Sequence, residues 1–109
     1  MLRNLPLNAE EVLDKCGRIY EHYGYEKQMC KLVEELGELV SAISKHVGSG
    51  DEKPSVQRNL ETHMVEEAGD VIIMMAQFIH GMNDEGRQLL ASFITEKLDR
   101  ERKRIEERH

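Results

Sequence analysis

The sequence predicts an all-α fold, a four-helix bundle. Two long segments, 26–47 and 56–82, carry apolar residues at helical spacing. Breaks at Gly24, at 48–54 and at 81–86 divide the chain into four such segments. Charged residues make up 33% of the 109 positions and proline only 2, a composition suited to helices and a solvated surface. A chain of this length supports one core, so residues 1–109 read as one domain.

Residues 1–7 place Leu2, Leu5 and Leu7 around Pro6, a lead-in expected to pack on the body. Asn8 is an N-cap, followed by Glu10 and Glu11 in the turn where the helix dipole favours negative charge. The first helix should run to about His22 and bury Val12, Leu13, Cys16, Ile19 and Tyr20. Gly24 then offers the left-handed position that ends it. The second helix spans about 26–47, with Met29, Leu32, Val33, Leu36, Val40, Ile43 and Val47 forming one apolar stripe. On a helical wheel Glu35 falls at the edge of that stripe and Glu34 and Glu38 lie further round, so the acidic group should border the core without interrupting it.

The loop GSGDEKP at 48–54 leads into a third helix from about Ser55 or Val56 to Met82. Between Val71 and Ile79 only Gln77 interrupts its apolar residues, which cover nearly the whole circumference. More than one face of this helix must be covered, which in so small a domain predicts an oligomer, a homodimer or a dimer of dimers. The fourth helix starts at about Asp84 with Leu89, Leu90, Phe93, Ile94 and Leu98, and ends in a charged tail over 100–109.

Several function classes are disfavoured. The net charge of −6 argues against a surface for nucleic-acid polymers. Neither a secretory segment nor a membrane-length apolar run is present, so a cytoplasmic protein without membrane attachment is expected. Cys16 and Cys30 form no CxxC and have no paired histidines, which leaves a zinc site unsupported.

The chemistry lies in two echoing stretches, KLVEELGELVSAI at 31–43 and MVEEAGDVIIMM at 64–75. Glu35 and Glu38, and Glu67 and Asp70, are each three apart and so share a helix side. Brought together, four carboxylates at the mouth of an apolar groove would repel unless a cation sat among them. Oxygen-only ligation suits Mg²⁺, with Mn²⁺ as the alternative. A ferritin-like di-iron site would need Glu-x-x-His, and Ile19, Ile43, Leu60 and Gln77 stand three before His22, His46, His63 and His80. Glu67, Asp70, Met74 and His63 share one wheel side, so the acidic face should lead into an apolar pocket wall.

EELGE at 34–38 and EAGD at 67–70, separated by 28 residues, resemble the EExxE…ExxD signature of the MazG-like all-α nucleoside triphosphate pyrophosphohydrolases. The segment EKLDRERKRI at 96–105 is similar to the basic last helix of many members. The resemblance implies metal binding by Glu35, Glu38, Glu67 and Asp70, and a catalytic group of Glu34, Glu35 and Glu38. It also implies Mg²⁺-dependent water attack between the α- and β-phosphates of a nucleoside or deoxynucleoside triphosphate, yielding monophosphate and pyrophosphate. Substrate contacts are expected from Gln28, which could read a base edge, and from Lys31, Lys97 and Arg100 on the phosphates. Lys31 is equally the i, i+4 partner of Glu35. Two other readings are open: phosphoribosyl-ATP pyrophosphohydrolase, which shares the acidic signature, and a non-catalytic helical interaction module.

Overall fold

In the computed structural model, which describes residues 1–108, Asn8 caps the first helix as its side-chain chemistry requires: Oδ1 accepts the Glu11 amide at 3.1 Å. Helix α1 spans Ala9–Tyr23. Gly24, at φ +87°, is the one described residue with positive φ; its amide closes α1 on the Tyr20 carbonyl, and its carbonyl accepts the Gln28 amide to open the next helix. Helix α2 spans Tyr25–Val47. Pro54, lacking an N–H, sits in the first turn of α3, Pro54–Gly81, where no intrahelical donor is needed. Asn83 caps α4, Asp84–Glu107, by accepting the Gly86 amide at 2.8 Å. The lead-in forms a single 3-10 turn at Leu2–Asn4 and covers Leu5 and Leu7 only in part, leaving them 41% and 45% exposed, so it packs on the body less than expected.

Helices α1, α2 and α3 pack together, with the closest association between α2 and α3, while α4 has only sparse contact with the rest. The radius of gyration, 17.2 Å, therefore exceeds the roughly 13 Å of a compact chain of this size. Gln28 meets Gln77 and Glu35 lies near Asp70, so α2 and α3 run antiparallel.

The buried line of α2 is Gln28, Leu32, Glu35 and Ala42, and that of α3 is Glu67, Met74 and Gln77. Each follows the alternating three- and four-residue steps of a helix–helix seam. This corrects the burial expected from apolar residues alone. Glu35 lies in the seam, and Val33, Leu36, Val40, Ile43 and Val47 are exposed beside it. In α1, Cys16 and Gly17 are buried while Leu13 and Ile19 are largely exposed. The physical reason is that α2 turns toward α3 the face on which polar groups can meet, leaving five of the seven residues of its apolar stripe exposed. Gly17 lets the His80 ring approach; a Cβ there would lie 2.8 Å from its Cε1. His80 Nε2 in turn lies 3.0 Å from Glu21 Oε1, tying α3 to α1. Cys16 and Cys30 are free thiols, and burial pushes the Cys16 thiol pKa up. No described helix is long and apolar enough to cross a membrane.

Candidate active site

The antiparallel pairing of α2 and α3 sets the carboxylates of the two acidic stretches opposite one another. Glu35 and Glu38 stand one turn apart on α2, and Glu67 approaches from α3, so that one oxygen from each lies within 4.8 Å of the others. Glu35 and Glu67 are each only 7% exposed, and their Oε2 atoms are buried without a hydrogen-bond partner. An ionised oxygen with neither water nor a donor is costly to keep. Desolvation raises the Glu35 pKa, with Glu38 and Asp70 adding to the rise and the hydrogen bond and charge of Lys31 opposing it. Lys31 Nζ lies 3.4 Å from Glu35 Oε1, and that hydrogen bond is the first cause of the raised Lys31 pKa. The lysine meets one oxygen of Glu35 and leaves the other unanswered.

Two orphaned oxygens within a group of three carboxylates fit a hard divalent cation, whose preferred donors are oxygens. A second grouping, His63, Glu66 and Glu67, satisfies the same 4.8 Å limit. There His63 Nε2 is 3.7 Å from Glu67 Oε1, near the buried carboxylate but largely exposed itself.

Beside the carboxylates opens a cavity of about 470 Å³ between α1, α2 and α3. Glu35, Asp70 and Lys31 line one end. One to two turns further along, Gln28, Ile73, Met74 and Gln77 continue the wall, and Ile19, Tyr23 and Lys27 complete it. The cavity can thus receive a ligand with an anionic end and an uncharged ring, provided a cation offsets the negative charge at the acidic end.

The residues singled out in the sequence fall into two groups. Gln28, Lys31, Glu35, Glu38, Glu67 and Asp70 come together around the carboxylates and the cavity. Glu34 is exposed on α2 and belongs to neither. Lys97 and Arg100 do not line the cavity, because α4 leaves the other helices; Arg100 instead lines a groove on α4 with Glu96, Asp99, Lys103, Arg104 and Glu107.

Sequence reasoning missed Gln77. At 1% exposure it is the most deeply buried large side chain described, and its Oε1 accepts Gln28 Nε2–H at 2.8 Å. Its signal was the lone polar residue in the apolar run 71–79, two turns beyond Asp70 on the same helix side. Ile19 of α1 was also missed as a lining residue, since no local pattern brings α1 against the α2–α3 cleft, and Lys27 and Ile73 were missed because nothing local marks which flank of α2 and α3 borders that cleft.

No curated protein and no solved structure matches the chain. The family profile of the MazG nucleotide pyrophosphohydrolase domain matches residues 24–109, from the glycine that opens α2 through both acidic stretches and α4. That match covers most of the sequence, and the chain, all-helical among its described residues and with acidic stretches facing across one cleft, belongs to the MazG nucleotide pyrophosphohydrolase domain family.

Proposed function

We propose that this protein hydrolyses nucleoside or deoxynucleoside triphosphates to the monophosphate and pyrophosphate, with Mg²⁺ as its metal. The carrying observation is the pair of unpartnered buried oxygens, Glu35 Oε2 and Glu67 Oε2, on carboxylates that approach one another from α2 and α3, with Glu35 lining the end of a cavity. Glu35, Glu38, Glu67 and Asp70 would hold the cation, which when bound neutralises phosphate charge and acidifies water. Mn²⁺ would fit the same oxygens.

The chain's own groups then divide the work. The buried seam fixes the rotamers of Glu35 and Glu67, so the donor set is preorganised. Lys31, held by Glu35 at the cavity wall, presents an ammonium to the triphosphate. Glu38, whose carboxylate stands beside Glu35 and Glu67, is placed to orient or deprotonate the attacking water, whereas exposed Glu34, outside that group, keeps at most a supporting role. The apolar walls from Ile73 and Met74 exclude bulk water beside the reacting phosphates.

The same reading includes a homo-oligomer. Leu89, Phe93, Ile94 and Leu98 of α4 and Val33, Leu36, Val40 and Ile43 of α2 expose two apolar stripes on one small chain. A second copy covering them would bring the partner's basic α4 segment toward the cavity. Lys97 and Arg100 would then serve as phosphate contacts across the interface.

The test is incubation with Mg²⁺ and a panel of canonical and modified ribo- and deoxynucleoside triphosphates plus phosphoribosyl-ATP, with products resolved chromatographically. Monophosphate and pyrophosphate from the triphosphates are expected. Orthophosphate and diphosphate, turnover of phosphoribosyl-ATP alone, or silence from folded, metal-supplied protein would each overturn the proposal.

A further inference from the structure

Gln28 and Gln77 form the one side-chain–side-chain amide pair described inside the fold, and they do so on the cavity wall. Such a pair is a poor choice for stability alone, because leucine at these seam positions would bury more apolar surface with no polar group to satisfy. The pair's hydrogen bonding is also incomplete. Gln28 spends one Nε2 hydrogen on Gln77 Oε1, and Gln77 gives one of its own to Met74 Sδ at 3.6 Å, a weak acceptor. No described hydrogen bond uses Gln28 Oε1 or its second Nε2 hydrogen. One acceptor and one donor on the same amide group, in a side chain held at 5% exposure, are therefore left for whatever fills the cavity.

Position along the helices says what that ligand is. Gln28 lies seven residues before Glu35, and Gln77 seven after Asp70, so the pair stands two turns, about 10 Å, from the carboxylates. That is the reach of one nucleotide from its 5′ phosphate to the far edge of its base. Ile19, Ile73 and Met74 offer apolar surface for the faces of a ring, and Tyr23 lines the α1 side with Lys27 Nζ 5.1 Å from its ring centroid. The amides are neutral, which suits an uncharged base edge better than a phosphate.

We infer that the Gln28–Gln77 amide pair is the base-recognition element of this site: Gln28 hydrogen-bonds the edge of the nucleobase, and Gln77 is the positioning residue that fixes the orientation of Gln28. This rests on the nucleotide pyrophosphohydrolase reading above and adds that the enzyme selects among bases. Amide side chains read base edges through such paired donor–acceptor contacts. Without the Gln77 carbonyl, the Gln28 amide is free to rotate and loses its preference.

The experiment measures kcat/KM for ATP, GTP, CTP and UTP with wild type, Gln28→Met and Gln77→Met, with circular dichroism to verify folding. The wild type should rank the bases, and either substitution should compress the spread by roughly ten- to hundredfold, with the loss in KM exceeding that in kcat. Gln28→Asn, which keeps the amide but shortens it, serves if Gln28→Met fails to fold, and should compress the ranking likewise. Binding of the four uncharged nucleosides in EDTA, followed by saturation-transfer NMR, tests recognition without catalysis. Preferential binding of one nucleoside by wild type and its loss in the variants supports the inference even if no triphosphate is turned over. A ranking, or a nucleoside preference, that survives in folded variants overturns it while leaving hydrolysis untouched, as does a wild type indifferent to the base in both assays.

Discussion

Replacing Glu67 by glutamine should make the metal-free protein more stable and the metal-loaded protein relatively less so. Glu67 Oε2 is buried without a partner, and one Glu67 oxygen lies within 4.8 Å of oxygens of Glu35 and Glu38. At that separation and an effective dielectric near 20, two fully ionised carboxylates repel by about 3.5 kcal/mol. Solvent around exposed Glu38 screens its share, and the raised pKa of Glu35 means that part of the repulsion is relieved by proton uptake. An unsatisfied buried group by itself costs roughly 1–3 kcal/mol. A gain of about 1–3 kcal/mol in EDTA is therefore expected for Glu67→Gln, since the amide is uncharged and can donate to Glu35. For a domain of this size, each kcal/mol moves Tm by about 4–8 °C. Adding Mg²⁺ reverses the order: a cation at about a thousandfold excess over its Kd stabilises the wild type by about 4.1 kcal/mol, and the amide forfeits most of that. Thermal melts of both proteins in EDTA and across a Mg²⁺ titration should thus cross. A variant that melts lower than wild type in EDTA, or a wild type that ignores Mg²⁺, would refute the reasoning, because Glu67 would then be satisfied without a cation.

Asp70→Asn should leave the helical circular dichroism intact and lower Mg²⁺-dependent kcat/KM by about a hundredfold or more, the scale of removing a group that stabilises the reacting charge; unchanged turnover would remove Asp70 from the site. Because burial raises the folded Glu35 pKa above its unfolded value, the native state keeps this proton where the unfolded chain has released it. This group therefore leaves metal-free stability highest below the unfolded carboxylate pKa and lowers it as pH rises through the folded pKa. Denaturant titrations in EDTA between about pH 4 and pH 7 should show a decline that is smaller in Glu35→Gln, and equal slopes would contradict it. Gly24→Ala should destabilise by roughly 1–3 kcal/mol, since φ there is +87°, whereas Gly37→Ala, in open space on α2, should stabilise by about 0.5–1 kcal/mol; equal effects on Tm would mean that the α1–α2 joint carries no strain. Phe93→Asp on exposed α4 should lower the mass measured by light scattering to that of one chain, and a wild type already monomeric would end the oligomer proposal.

Local chemistry decided where the helices begin and end. Asn8 and Asn83 offer cap acceptors, Pro54 suits a first turn, and Gly24 adopts a conformation closed to other residues, each through atoms within a few positions of the break. The spacing of Glu35, Glu38, Glu67 and Asp70 was equally legible, because three residues on a helix is a fixed angle whatever packs against it. Which face became the seam was decided only by tertiary structure. Apolar counting favoured the stripe of Met29, Leu32, Val33, Leu36, Val40, Ile43 and Val47, of which α2 buries only Leu32, beside Gln28, Glu35 and Ala42. Periodicity measures the hydrophobicity of a face, and it cannot register that a buried glutamine finds its partner 49 residues away or that two glutamates converge across a cleft. The departure of α4, and with it the separation of Lys97 and Arg100 from the carboxylates within one chain, has the same origin. An amphipathic helix specifies that a partner exists, and only the packed structure says whether that partner lies in its own chain.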